Sequence, residues 1–151
     1  MILKIETMPA YEIAYIRQVG PYGASNKQVM EEIKNFARTN TLLIDESIIL
    51  GIAQDNPAMT KPEDCRYDAC LVIPRDYCIH DDHVNLGEIS GGRYAVFTIV
   101  HTAEAVQMAW CNIFPELQKQ GYQLNDTKPI IERYAAEMVQ NHTCEICVPI
   151  Y

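Results

Sequence analysis

The chain has 151 residues, 48% of them hydrophobic and 21% charged, which suits one globular domain with a sizeable core. Twenty acidic residues against 12 basic ones leave a formal charge of −8, which opposes a phosphate backbone and argues against direct nucleic-acid binding. No apolar run approaches the roughly 20 residues that span a bilayer, and Met1-Ile2-Leu3-Lys4-Ile5-Glu6 lacks the charged head and apolar block of a signal peptide. A cytoplasmic protein without membrane association is therefore expected.

In chain order, residues 3–19 read as extended and end in the turn Gly20-Pro21-Tyr22-Gly23. Ser25 stands three before Gln28, the spacing of a capping box. Val29, Ile33, Phe36 and Ala37 then recur at helical spacing, and Asn40 is a suitable stop. Ser47–Gln54 and Cys65–Pro74 read as strands. Residues 75–85 form a polar connection. The second half repeats this order. Leu86–His101 reads as extended with a bend at Gly91-Gly92, and Thr102 is a helix N-cap. Val106, Ala109, Trp110, Ile113 and Leu117 form an apolar stripe. Pro115 predicts a kink or a broken last turn, and Gly121 ends the helix. Pro129–Ala136 and Thr143–Ile150 are the last two strands.

The two halves, about 1–77 and 84–151, thus correspond as strand, helix, strand, strand. Tyr11-Glu12-Ile13-Ala14-Tyr15 echoes Arg93-Tyr94-Ala95-Val96-Phe97, and Tyr67-Asp68-Ala69-Cys70-Leu71-Val72 echoes Cys144-Glu145-Ile146-Cys147-Val148. Either half alone is too small for a good core. Two copies about a pseudo-twofold axis would share one and leave a groove between them, within a single domain spanning 1–151.

The strand Pro129-Ile130-Ile131-Glu132-Arg133-Tyr134 carries the most chemical information. Alternation puts Ile130, Glu132 and Tyr134 on one face. A carboxylate buried there is unfavourable unless a positive group pairs with it. No Lys or Arg shares that face, so a greasy cation could supply the charge. The plain alternative leaves Glu132 in solvent or paired with Arg93 or Arg133. Trp110, the one tryptophan, is either core or a ligand platform; Tyr67, Tyr94 and Phe97 are either packing residues or pocket aromatics.

Without a secretion signal, Cys65, Cys70, Cys78, Cys111, Cys144 and Cys147 read as reduced thiols. Two clusters resemble metal sites: Cys78 with His80, Asp81, Asp82 and His83, and His142 with Cys144 and Cys147. The first lacks a clear third and fourth ligand, and residues 144 and 147 point to opposite sides of a strand. No metal is expected. Phosphate-loop and nucleophile-elbow motifs are absent, and no cofactor is expected either.

Several segments, in order, carry a family resemblance. They are Val19-Gly20-Pro21-Tyr22, Gly51-Ile52 with Asp55-Asn56-Pro57, Cys65-Arg66-Tyr67-Asp68-Ala69-Cys70, Gly91-Gly92-Arg93-Tyr94-Ala95-Val96-Phe97, Gly121-Tyr122 with Asp126, Pro129 to Tyr134, and Val148-Pro149-Ile150. This set resembles the GyrI-like small-molecule-binding family, which also supplies the effector-binding domain of some AraC-type and MerR-type regulators. The resemblance implies an α+β fold of duplicated strand-helix-strand-strand units with pseudo-twofold symmetry, an antiparallel sheet and a ligand groove between the halves. It implies that the carboxylate of a Glu-x-Tyr motif, here Glu132 and Tyr134, meets cationic ligands among aromatics, with Trp110 on the second helix. Fused members carry a helix-turn-helix region first. Here the first strand begins within a few residues of Met1, which points to the stand-alone form.

The leading expectation is a binding protein for lipophilic, cationic small molecules, using Glu132, Tyr134, Trp110, Tyr67 and Phe97. A hydrolase is the enzyme alternative: Glu132 would act as acid/base on a strained or electrophilic substrate, oriented by Tyr134. A third is a protein-interaction module such as a gyrase modulator, whose acidic surface meets a basic partner. No sequence feature sets an oligomeric state.

Overall fold

The structure, a computed structural model, describes residues 2–42, 47–79 and 81–151, apart from the side chain of Glu137. Its elements are β1 (Ile2–Met8), β2 (Tyr11–Val19), α1 (Ala24–Thr39), β3 (Ile48–Ala53), β4 (Arg66–Val72), β5 (Asn85–Ile89), β6 (Gly92–Val100), α2 (Ala103–Lys119), β7 (Ile131–Ala135), α3 (Ala136–Gln140) and β8 (Thr143–Pro149). These strands form one antiparallel sheet in the order β1-β6-β8-β7-β3-β4-β2-β5.

Each extended stretch that opens a half is two strands rather than one. The break falls at Pro9-Ala10 in one half and Ser90-Gly91 in the other. Proline cannot donate to a ladder. Gly91 passes so close to the opposite break that a side chain there would run into the Met8 carbonyl oxygen. The two breaks therefore touch, and there the first strand of each half crosses to the other. β1 pairs with β6 and β5 with β2, so each outer strand belongs in sequence to the opposite half.

The order reads alike from either edge, and the ladder registers repeat. One offset carries Ile13 onto Tyr94 and Gly51 onto Glu132, and an offset four residues shorter carries Asp68 onto Glu145. The expected echo between β4 and β8 is the observed one. The echo between β2 and β6 is off by one residue: Ile13, not Glu12, matches Tyr94. A one-residue slip in a strand exchanges its faces, and Ile13 and Tyr94 share a single buried cluster.

Both long helices lie on one face of the sheet. α1 packs Val29, Ile33, Phe36 and Ala37 onto Ala14, Ile49, Tyr67, Ala69 and Leu71. α2 packs Ala109, Ile113 and Leu117 onto Ala95, Phe97, Ile146 and Val148. The opposite face has its own apolar cluster, including Ile13, Leu50, Ile52, Tyr94, Val96, Ile131 and Cys147.

The helix ends differ in chemistry. Thr102 caps α2 as expected, accepting from the Ala105 N–H at 3.1 Å. The expected Ser25 box does not form. Gly23 is the N-cap, and Ser25, already inside the helix, donates back to the Pro21 carbonyl at 3.0 Å. Pro115 does not break α2, which continues to Lys119. It sits on the exposed side, where the carbonyl it frees can turn to water. Gly121, at φ 81°, closes the helix. The strand expected to run through Ala136 stops at Ala135. Ala-Glu-Met-Val-Gln, rich in helix formers, makes the short α3 instead.

Candidate functional site

β7 alternates as its sequence predicts. Ile131 joins the apolar cluster on the far face, while Tyr134 contacts the clusters under both α1 and α2. Glu132, on Tyr134's side, lies between Gly51 of β3 and Ile146 of β8 at the centre of the sheet. It is half-buried and accepts a hydrogen bond from the Tyr134 hydroxyl. Tyr67 reaches it from β4. A side chain at Gly51 would strike the Tyr67 hydroxyl and press on the Met30 methyl, so the missing side chain is what lets the phenol lie over β3.

These groups share one electrostatic environment. Burial raises the Glu132 pKa above its usual 4.5, and the Tyr134 hydrogen bond only partly opposes that. The Tyr67 and Tyr134 hydroxyls are pushed up by burial and then by the Glu132 charge. The Cys144 thiol rises to about 11 from burial first and Glu132 second. Three titratable side chains thus feel one carboxylate, and none of them is basic.

Glu132 differs here from the two buried carboxylates of the sheet, Asp68 and Glu145. Asp68, on β4, receives a two-pronged bond from Arg17 at 2.8 and 2.9 Å and a third from Gln54 at 3.0 Å. Glu145, on β8, holds Arg133 at 2.8 Å, with Lys4 at 3.4 Å. Arg133 also grips Glu6 at 2.8 and 3.1 Å, so it is committed to the far face. Arg93 donates to the Tyr151 carbonyl at 2.9 Å. Neither arginine that could have matched Glu132 does so, and no ion pair to it exists among the described residues.

The remaining expected site residues are scattered in role. Trp110 is half-buried and packs against the cluster under α2, as Val106, Ile130 and Tyr134 also do. The buried stripes of the helices match as Val29 with Ala109, Ile33 with Ile113 and Ala37 with Leu117, which makes Trp110 the counterpart of Met30. Met30 stands over Gly51, and Gly51 is the counterpart of Glu132. Phe97 has no exposed surface and packs under α2 as core. Tyr94 is fully buried on the other face.

His101, Met30 and Gly51 were not singled out as site residues by sequence reading. The His101 ring lies 5.2 Å from that of Tyr134, tilted by 43°, on the exposed side. Matching the halves by register would have exposed Gly51 as the vacant counterpart of Glu132. Two clefts open elsewhere. One of about 630 Å³ lies between the end of α1 and residues 81–85. One of about 300 Å³ lies on the far face, near Tyr15, Ile52 and Tyr94.

Cys144 and Cys147 do lie in clusters on opposite faces of the sheet. His80 of the other metal-like cluster lies outside the described residues. No group of three or more His, Cys, Asp or Glu able to hold a metal occurs among the described residues. No described helix is long and apolar enough to cross a membrane.

Comparison with known proteins agrees with this fold. The chain is 44% identical over 151 residues to YosT of Bacillus subtilis (strain 168), a SPbeta prophage-derived candidate transcriptional regulator, covering 99% of each. It is 31% identical over 130 residues to a DNA gyrase inhibitor of Pectobacterium carotovorum, covering 81% of this chain and 79% of the relative. Among solved structures, the C-terminal domain of EcmrR superposes with a TM-score of 0.78 at 14% identity, covering 99% of this chain and 97% of that one. SAV2435 bound to tetraphenylphosphonium superposes at 0.61 with 13% identity, covering 100% and 94%. The model of the GyrI-like small molecule binding domain matches residues 1–151. With an eight-stranded antiparallel sheet, two equivalent helices and that match along its whole length, this chain belongs to the GyrI-like small-molecule-binding family.

Proposed function

We propose that this domain binds lipophilic cations over β3 and β7, between α1 and α2, with Glu132 as the charge-selecting group. The observation that carries this reading is the unmatched carboxylate. Asp68 and Glu145 each hold an arginine, whereas Glu132 has only a tyrosine hydroxyl. A bound cation would supply the attraction that burial makes valuable. Tyr67, Tyr134 and Trp110 would add apolar contact and cation–π attraction of about 0.5–2 kcal/mol each. SAV2435, which shares the fold, binds a cation of this kind.

Calorimetric titration with tetraphenylphosphonium tests the reading. Saturable stoichiometric binding is expected, without turnover, and Glu132→Gln should weaken it at least tenfold while the protein stays folded. Affinity should rise with pH as the free carboxyl ionises. Equal affinity of the two proteins removes Glu132 from the site. A second reading, contact with a protein such as gyrase, is favoured by the relative named a DNA gyrase inhibitor. Co-purification with gyrase that weakens in salt and ignores Glu132→Gln would support it.

A further inference from the structure

The duplication gives each patch of the sheet a twin. On the far face of the second half, Lys4, Glu6, Arg133 and Glu145 form one ion-pair network. Arg133 holds Glu145 at 2.8 Å and Glu6 at 2.8 and 3.1 Å, and Lys4 approaches the same two carboxylates at 3.4 and 3.8 Å. The ladder registers match these four residues with Asn85, Gly87, Ile52 and Asp68. The first half thus keeps the carboxylate of the inner strand. The edge-strand carboxylate is replaced by a glycine, and the arginine by an isoleucine.

A guanidinium is present all the same, from another strand. Arg17 stands on β2 where β6 has Thr98, and its Nε and Nη2 donate to the two oxygens of Asp68. Arg133 serves two carboxylates, whereas Arg17 serves one. The Arg17 Nη1 makes no hydrogen bond among the described residues, and the side chain is 36% exposed against 7% for Arg133. The far-face cleft of about 300 Å³ opens at this difference. Arg17, Asp68, Gly87 and Ile52 line it, with Ile13 and Tyr94 beside them.

We propose that this cleft binds a small aromatic carboxylate. The ligand's carboxylate takes the part that Glu6 plays in the twin and accepts from the open edge of Arg17. Its ring lies on Ile13, Ile52 and Tyr94. The balance of charge favours an acid over a neutral ring. In the twin, two cations face two carboxylates. Here Arg17 and Lys128 face Asp68. The Lys128 ammonium donates to the Gly91 carbonyl, stands 6.0 Å over the Tyr94 ring, and pairs with no carboxylate among the described residues. Glu88 also borders the cleft, but it stands between Gly87 and the buried Ile89, and alternation turns it towards the helix side. Asp55 and Arg66, near Arg17, neutralise each other at 2.9 Å. A bound carboxylate restores the two-to-two balance of the twin. The cleft lies on the face opposite Glu132, so the proposal stands apart from the cation site.

Calorimetric titration of the full chain with 2-naphthoate reads the binding, and a saturable one-to-one isotherm is expected, about tenfold or more tighter than for the neutral naphthylmethanol. Arg17→Gln, with its circular dichroism unchanged, should lose that preference for the acid. Should this variant not fold, amide chemical shifts of the unmodified protein decide. Naphthoate should move Arg17, Gly87 and Ile89 and leave Gly51 and Glu132 in place. Absence of saturable binding at millimolar naphthoate overturns the proposal. So does equal affinity for the acid and the alcohol, a folded Arg17→Gln that keeps the preference, or a shift map centred on Glu132.

Discussion

The two halves share a ladder, a helix and a register, yet they divide the chemistry unequally. At the centre of the sheet the first half offers Gly51 and the second Glu132. Around them Ala53 matches Tyr134, Tyr67 matches Cys144, and Met30 matches Trp110. The first half contributes space and one phenol; the second contributes charge, a second phenol and an indole. Residues fixing backbone pairing stay alike because both halves must join one sheet. Residues facing the axis are free to diverge, because each lies beside its own counterpart rather than a copy of its neighbours. One carboxylate at an axis is tolerable; two facing each other would repel.

The two arginine networks give the largest test of that division. Arg133 is nearly buried and holds both Glu145 and Glu6. Arg133→Met leaves the buried Glu145 with only the longer contact to Lys4 at 3.4 Å and should destabilise the protein by about 3 kcal/mol in denaturant unfolding. Arg17→Met should cost clearly less, because Arg17 is more exposed and Asp68 keeps its bond from Gln54. Arg133 also holds the Glu6 carboxyl below its usual 4.5. The stabilisation from Glu6 is therefore present above about 4.5 and lost as pH falls through the depressed value. That acid sensitivity should shrink in Arg133→Met.

The axis pair comes next. Gly51→Ala should destabilise by about 1–3 kcal/mol, because the new methyl meets the Tyr67 hydroxyl. Tyr67→Phe in the same chain removes that oxygen and should recover part of the loss, a coupling that a double-mutant cycle measures.

Glu132→Gln should act in the other direction. A carboxyl whose folded pKa is raised contributes stability below its unfolded value of 4.5 and loses it as pH rises through the higher folded one. The ligand-free variant should therefore melt a few degrees higher than the parent at pH 7, at roughly 2–4 °C per kcal/mol. The gap should close below about pH 4. A midpoint lower at pH 7 would mean that the ionised carboxylate supports the fold.

The smallest contrast lies at the helix starts. Thr102→Ala removes a side-chain cap and should cost about 1 kcal/mol. Ser25→Ala, at a helix without such a cap, should stay within about 0.5 kcal/mol.

Local rules carried the helices, the stop at Gly121 and the shared face of Glu132 and Tyr134, because periodicity and alternation are properties of neighbouring residues. The β4 and β8 echo was legible because Asp68 and Glu145 are each flanked by apolar residues in the same order. The breaks at Pro9 and Gly91 were not, since an extended stretch looks the same whether its ends share one partner strand or two. Phe97 shows a similar limit. A strand aromatic is core or pocket according to what covers it, and here α2 does. Gly51 was visible as a motif residue, but its role needs Tyr67 from another strand. His101 meets Tyr134 across a separation that no local pattern spans.

The crossing of the outer strands has a consequence for how the chain is made. β1 is made before the rest of this sheet, yet its one partner strand among the described residues, β6, is not complete until Val100 has been added. The residues of β1, with Ile2 and Ile5 among them, must wait unpaired while the stretch up to Val100 is made. An N-terminal truncation would strip an outer strand from the C-terminal half, and leave its own half's sheet intact.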